Sequence, residues 1–482
     1  MKNAVGVMVV FALGLASCSA IPPAPEHPAL SSEAPLLQPA AGGGGAWPQH
    51  DWWHQYQDPT LDQLIEIGLA FAPNLKTAQA RFDVARESVR LAGATSGAQV
   101  ALNGDLDRQR LSDNGLFPPQ LLGFHWYNLA NLGLQVNYTF DWWGKQHAAI
   151  AAALDQAHAV KADNSAAELI LASSIADTYF GWQADEQRLL IASESLKVSE
   201  RSGRIAAERL QAELEPADAV DRADMAVAAT REQIAMLAGS ARLRVVALAA
   251  LCGRPESELP ALQARPLPAV VASVPDDVRL DLISRRPDIA ASRWRVEAIQ
   301  QNLQSARAQF FPDISINALA GVAAIDVGKL IEYGSRVPQA GIALHLPIFD
   351  NGTLSAQYRG SAAQLRAAIA SYDQTLIDAA RDVATQLANR QQVVAQREQR
   401  LIEATAAARL RAGASAQVRQ GLVDARVELT AAGVFLQQRD ALLQLDAQAL
   451  SADIGLQRAL GGGYDAQHET PNSPSSPKQN TP

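Results

Sequence analysis

The sequence predicts an α+β membrane protein: very long antiparallel helical hairpins adjoining four short β-strands, the whole arrangement built twice. Three observations predict it. From about Gln146 to Ala212 there is no proline, and glycine occurs only at Gly181 and Gly203. At 1.5 Å per residue that is roughly 100 Å of helix. Four short segments alternate apolar and polar residues with the period of a strand. Finally, Pro73, Arg81 and Asn103 match Pro287, Arg295 and Asn317 at a shift of 214, while Gly133, Gly144 and Leu214 match Gly341, Gly352 and Leu422 at a shift of 208.

The chain opens MKNAVGVMVVFALGLASCSA, one lysine followed by an apolar run too short to span a bilayer. Residues 1–17 read as a signal peptide. Leu15-Ala16-Ser17-Cys18 resembles the bacterial lipobox, in which cleavage leaves the cysteine first and its thiol carries diacylglycerol. Ordinary signal cleavage, with Cys18 incidental, is the alternative. Ser19 follows, with no aspartate to hold such a lipoprotein at the inner membrane, so the resemblance implies the outer membrane. Residues 18–46 are rich in Pro, Ala and Gly and read as an extended tether. The other cysteine, Cys252, reads as a small apolar residue near a helix end, so no disulfide framework is expected.

Composition excludes several classes. The 482 residues are 48% hydrophobic and 19% charged, and the formal net charge is −9. Nucleic-acid binding needs a basic face against phosphate, which this balance opposes. No HExxH, GxSxG or Walker motif occurs, and Gly42–Gly45 has no strand before it, so no enzyme, metal site or phosphate cradle is expected. No later segment holds eighteen uninterrupted apolar residues; a span of the membrane is therefore expected from strands.

Along the chain, the first long helix is followed by Pro216 and a second from about Ala217 to Leu251. Val220, Val227, Ile234, Ala241 and Leu248 recur every seven residues there, with Ala223, Thr230, Leu237 and Leu251 beside them and Arg244 breaking the set. This is a coiled-coil seam. A third long helix, Thr353 to about Gln420, carries Leu365, Ile369, Tyr372, Leu376, Ala379 and Val383, and a return helix runs from about Asp424 to Leu460. Strands are expected at Val100–Leu106, Gly133–Phe140, Ile314–Ala320 and Gly341–Ile348, joined by loops at Asp107–Leu132 and roughly Val322–Ala340. The alternation suits a barrel wall or a half-buried soluble sheet equally. Phe140, Trp142, Trp143, Phe310, Phe311 and Phe349 at the strand ends favour the barrel, as an interfacial girdle. Four strands cannot close a barrel, for which about eight are needed. An open edge in lipid leaves unpaired backbone groups. Two copies would supply eight strands, and three would supply twelve and begin to leave a water path.

The chain resembles the TolC-like outer-membrane efflux channels, specifically the NodT-type lipoprotein branch serving RND tripartite pumps. The carriers are Asp58-Pro59-x-Leu61-x-x-Leu64-Ile65 after Trp52-Trp53; Arg286-Pro287-Asp288 running to Ala306-Arg307-Ala308-x-Phe310-Phe311-Pro312; Leu346-Pro347-Ile348-Phe349-Asp350-x-Gly352; Gly421-Leu422-Val423-Asp424; and Ala459-Leu460-Gly461-Gly462-Gly463. The resemblance implies a homotrimer with a twelve-stranded barrel and a periplasmic helical tunnel. It implies a lipid anchor of diacylglycerol and palmitate on Cys18 and no other cofactor. It also implies a periplasmic adaptor and an inner-membrane RND transporter as partners in multidrug export. Two efflux repeats, 47–252 and 286–464, would flank an equatorial connection at 253–285, with a disordered tail at 465–482. Adaptor contact would fall to Glu213, Leu214 and Pro216 in the first copy and Gly421, Leu422, Val423 and Asp424 in the second. The usual Arg-Tyr of that turn is Gln417-Val418 here. Where the family carries its gating LDAQ, this chain has Leu429-Thr430-Ala431-Ala432, without that carboxylate. Two rivals remain open: a type I secretion exit channel, against which Cys18 argues, and a non-conducting coiled-coil tethering lipoprotein, against which the aromatic-ended strands argue.

Overall fold

The computed structural model describes residues 23, 26–31, 45–114, 118–270, 283–350 and 352–466. Cys18, most of the tether and most of the tail lie outside the described residues. After a 3-10 turn at Trp52–Tyr56 come α1 (Pro59–Phe71), α2 (Pro73–Ser96), β1 (Gln99–Arg110) and β2 (Trp126–Phe140). The helices α3 (Lys145–Gln211) and α4 (Asp218–Cys252) follow, and then α5 (Pro287–Ala308), β3 (Asp313–Ala324) and β4 (Arg336–His345). The chain closes with α6 (Thr353–Arg419) and α7 (Ala425–Ala459). The helices α3 and α6 each have 67 residues, and α4 and α7 each have 35.

Two compact units divide the chain: Phe82–Ala159 with Ser292–Tyr372, and Ser31–Arg81 with Val160–Ala291 and Asp373–Pro482. Each interleaves segments from both halves of the sequence. The first holds the sheet, an antiparallel meander in the order β1-β2-β3-β4. Its ladders set Val100 against Val136, Val136 against Ala318, and Ala318 against Ala340. In this register every even-numbered strand residue shares one face, because the side-chain period is two.

The strands differ from expectation in length. β1 continues through Asp107–Arg110, a polar run that looks like loop in sequence, because it pairs with Trp126–Leu129. The connections shrink to 111–125 and 325–335. β4 lies earlier than expected, at Arg336–His345, so Leu346 and Ile348 fall outside it. Pro347 has no N–H to give a ladder. At the helix end of the sheet, matched aspartates turn strand into helix. Asp141 accepts from the backbone N–H of Gln146 and His147 at 3.1 and 2.7 Å. Asp350 accepts from Gly352 and Leu354 at 3.0 and 2.6 Å. Gly144 and Gly352, at φ +74° and +81°, make the left-handed step that a side chain resists.

The cluster of buried side chains around α1 lies in the second unit. Asp58 caps α1, accepting from Thr60 N–H at 2.9 Å, and Pro59 occupies the first turn. The motif's Leu61, Leu64 and Ile65 are fully buried, in a cluster with Leu171, Ile175, Tyr179 and Leu248. Each such side chain contributes about 1.5–3 kcal/mol through burial. Tyr179 donates to Asp58 Oδ2 at 2.8 Å, and burial followed by that carboxylate pushes its hydroxyl to about 12. The predicted seam is present: Thr230, Leu237, Ala241 and Leu248 of α4 are buried. So are Leu365, Ile369, Tyr372, Leu376, Ala379 and Val383 of α6. Arg244 interrupts the α4 seam because it pairs with buried Asp185 at 2.7 Å, lying over Gly181, where a Cβ would collide with the guanidinium. Cys252 is buried with its Sγ 3.5 Å from the Leu64 carbonyl, and burial raises its thiol to about 11, as suits an inert apolar residue.

The helix α4 is long and apolar enough, by length and composition, to cross a membrane. Met225, Met236, Leu243 and Val246 of this helix are exposed. The same helix carries Arg242 and Arg244, paired with Glu256 and Asp185.

Candidate functional site: the sheet face, the glycine crossing and the helix turns

The even-numbered sheet face runs Val100, Leu102, Leu106 on β1; Leu132, Leu134, Val136, Tyr138, Phe140 on β2; Ile314, Ile316, Ala318 on β3; and Ala340, Ile342, Leu344 on β4. Much of it is exposed: Leu102 is 69% exposed, Ile342 77% and Leu344 62%, while Val136, Phe140, Ile314 and Ala318 are half-buried. A half-buried soluble sheet would cover this face, so the exposure argues against that reading. The odd-numbered face is polar and self-bonded. Asn103 donates to Gln135 at 3.1 Å, and Asn131 to Asp105 at 2.8 Å.

The aromatic residues predicted as a girdle gather at the helix end of the sheet. Trp143 stacks on Phe311 at 4.6 Å and donates its indole N–H to the Pro312 carbonyl at 2.9 Å. Phe140 meets Trp142 at 5.9 Å, and Phe310 meets Tyr358 at 6.0 Å. Phe349 stands apart, 87% exposed.

In the second unit, three backbones cross at Gly461-Gly462-Gly463, all with positive φ. A Cβ on Gly461 would overlap the Arg285 carbonyl, and one on Gly463 would overlap the Gln49 backbone. The next residue, Arg286, is clamped. Its guanidinium reaches Asp288 at 2.7 Å, Asp382 at 3.4 Å and the Ala459 carbonyl at 2.9 Å. This joins the start of α5 to α6 and to the end of α7. Asp453 of α7 accepts from Tyr56 at 2.7 Å, and burial raises its carboxyl above the usual range.

The two helix–helix turns also lie in this unit. In each, the chain takes one left-handed residue: Glu213 at φ 57° and Gly421 at φ 70°. Leu214 N–H bonds the Arg209 carbonyl at 2.8 Å and Leu422 N–H bonds the Gln417 carbonyl at 2.9 Å, the same closing bond in both. Leu214 and Leu422 are 63% and 69% exposed. Asp424 caps α7 through Arg426 N–H at 2.9 Å, and that bond holds its exposed carboxyl below the usual range. The turns are tied by charge. Arg209 pairs with Glu215 at 3.2 Å and approaches Asp424 at 3.7 Å, while Arg426 pairs with both Glu215 and Asp424. The structure thus brings predicted Asp424 into one cluster with Arg209, Glu215 and Arg426, which the sequence reading did not select. Glu213, Leu214, Pro216, Gly421, Leu422 and Val423 supply the turns around it. Opposite charges on both turns were the available signal. Thr430 donates its hydroxyl to the Arg426 carbonyl at 2.9 Å, and Leu429–Ala432 offers no carboxylate.

A four-stranded sheet with an exposed apolar face, and helices of 67 and 35 residues, are the features to compare with known proteins. The chain belongs to the outer membrane efflux protein family, whose profile matches residues 64–254 and 279–462. The multidrug resistance outer membrane protein MdtP of Shigella flexneri is 33% identical over 428 residues, covering 87% of this chain and 88% of that protein. Among solved structures, the outer membrane protein VceC of Vibrio cholerae is 30% identical with a TM-score of 0.78, covering 87% of this chain and all of that one. The MtrE outer membrane channel of Neisseria gonorrhoeae, solved in its open state, is 25% identical with a TM-score of 0.75, covering 93% of this chain and 99% of that one. The chain is an outer-membrane protein of efflux, in a family of ducts and not of enzymes.

Proposed function

We propose that this chain is the exit duct of a tripartite RND-type efflux pump, a passive channel passing small molecules such as drugs from the periplasm to the exterior. The observation that carries the reading is the apolar face of a four-stranded sheet whose outer edges, on β1 and β4, have no partner strand among the described residues. In hydrocarbon each unpaired backbone group costs several kcal/mol, so β4 of one copy joins β1 of the next. Three copies make a homotrimeric, twelve-stranded barrel, wide enough to leave a water path lined by the polar odd-numbered face. The multidrug-resistance name of MdtP supports the cargo class.

The long helices join the strands at the end opposite the two loops, so they extend into the periplasm as a tunnel. The exposed apolar residues of α4 pack between copies. Segment 253–285 and the chain ends encircle the trimer, between efflux repeats 47–252 and 286–464. Diacylglycerol and palmitate on Cys18 hold the start of the mature chain at the membrane, since acyl chains anchor without spanning. The turns at Glu213–Pro216 and Gly421–Asp424, with their exposed leucines, meet the periplasmic adaptor, which links them to the inner-membrane transporter.

The test is conductance. Purified protein is expected to run as a trimer in detergent and to give discrete current steps in planar bilayers. A monomer that stays soluble without detergent and passes no current would overturn the reading.

A further inference from the structure

The charge on the bilayer face of the sheet is confined to one place. Of all even-numbered strand residues, only Arg108, Arg110 and Arg336 are charged, and none is acidic. All three stand at the loop end, beyond the apolar band, with Trp126 on the same face. At the helix end the same face finishes in Tyr138 and Phe140, without a cation. The two rims of one membrane wall therefore differ in chemistry.

The arginines also differ among themselves. Arg110 has an acid, Asp113, at 3.4 Å. Arg108 instead lies over the Trp126 ring at 5.7 Å, and Arg336 over the Tyr333 ring at 4.3 Å. Neither has a carboxylate within 4.0 Å among the described residues; the loop acid Asp326 is engaged with Gly328 N–H at 2.9 Å. A guanidinium beside an apolar band, held by an aromatic face and lacking an anion, has its fork of N–H donors free for a bidentate partner such as phosphate. Tryptophan and tyrosine settle at the headgroup level of a bilayer.

We infer that Arg108 and Arg336, with Trp126 and Tyr333, form a binding site for phosphate-bearing headgroups of the lipid leaflet on the loop side. The inference rests on the channel reading. It commits to a lipid because the cations adjoin the acyl band, so a headgroup held by its own chains meets them at the right depth. Closing the ring sets β4 of one copy beside β1 of the next, which brings Arg336 and Arg108 to a shared rim at each joint between subunits.

The test is native mass spectrometry of the intact trimer in detergent, titrated separately with phosphorylated lipid A, dephosphorylated lipid A and inorganic phosphate. Phosphorylated lipid A is expected to bind. The double variant Arg108→Gln/Arg336→Gln is expected to weaken it by about tenfold or more, since two charge-assisted contacts are lost. Arg110→Gln, already ion-paired, is expected to change it less than about threefold. Equal binding of dephosphorylated lipid A, full displacement by equimolar inorganic phosphate, or an unchanged double variant would each overturn the inference. Conductance in phosphatidylcholine bilayers separates the two readings. Wild type and double variant are expected to conduct alike, so a conducting protein without lipid A binding loses only this inference. A wild type that does not conduct loses the channel reading too.

Discussion

Leucine and isoleucine end in opposite places in two regions of this chain. In the core of the second unit, Leu61, Leu64 and Ile65 are wholly covered. On the sheet, Leu102, Ile342 and Leu344 are bare. Residue type does not separate the two sets; the alternative available to each does. The leucines of α1 lie three and four apart, a stripe that packs on the helices beside it. The sheet residues alternate on a face that no helix among the described residues covers. Leaving them bare in water would cost about 25 cal/mol per Å² of apolar surface, a cost that hydrocarbon in place of water would remove.

The sharpest break between the regions is expected at a buried cation of the core. Arg286→Ala should destabilise the fold by about 3–5 kcal/mol, because Asp382 loses its guanidinium and the Ala459 carbonyl its donor. The check is thermal unfolding of the trimer in detergent. A loss below about 1 kcal/mol would mean that the clamp adds little.

Next in size is a charge on the wall. Leu134→Arg is expected to cost about 2–4 kcal/mol for folding into lipid vesicles, measured by urea titration. Gln135→Arg, one residue along on the polar face, should cost far less. Equal costs would erase the distinction between the faces.

The turns sharpen the comparison differently, since their exposed leucines lie outside the sheet. Leu214→Asp and Leu422→Asp should change stability by less than about 0.5 kcal/mol, yet abolish copurification with the adaptor. Backbone swaps there should have opposite signs. Glu213→Gly is expected to stabilise by about 1 kcal/mol and Gly421→Ala to destabilise by a similar amount, by relieving or imposing left-handed strain. Differential unfolding of the two variants checks this.

The smallest effect concerns Asp155 of α3. Burial, then repulsion from Glu297, raises its carboxyl from an ordinary 3.8 to about 6. The folded form holds this proton more tightly than the unfolded one. The group's contribution is therefore most favourable below about pH 4 and is lost as pH rises to about 6. Asp155→Asn is expected to raise the melting temperature at pH 7.5 and to flatten its rise on acidification. Melting curves between pH 4 and 8 read both.

Helix limits were legible to within a residue or two. The reading of Gln146–Ala212 became Lys145–Gln211, because proline and glycine punctuate locally. Strand limits were less so. Asp107–Arg110 carries no alternation, and only its partner on β2 makes it strand. The ion cluster at the turns was not legible, since Arg426 and Glu215 are 211 residues apart. The role of Arg286 was hidden similarly. Its motif was conspicuous, but its acceptors lie on α6 and α7.

By itself the sequence determined the period of each segment, the places where helices stop, and the fact that four strands are too few to close. These are properties of neighbouring residues and of counting. Only the tertiary structure decided which apolar residues stay uncovered, which charges find partners, and why three glycines stand in a row. Those answers depend on what the rest of the chain brings within reach, and spacing along the sequence does not encode it.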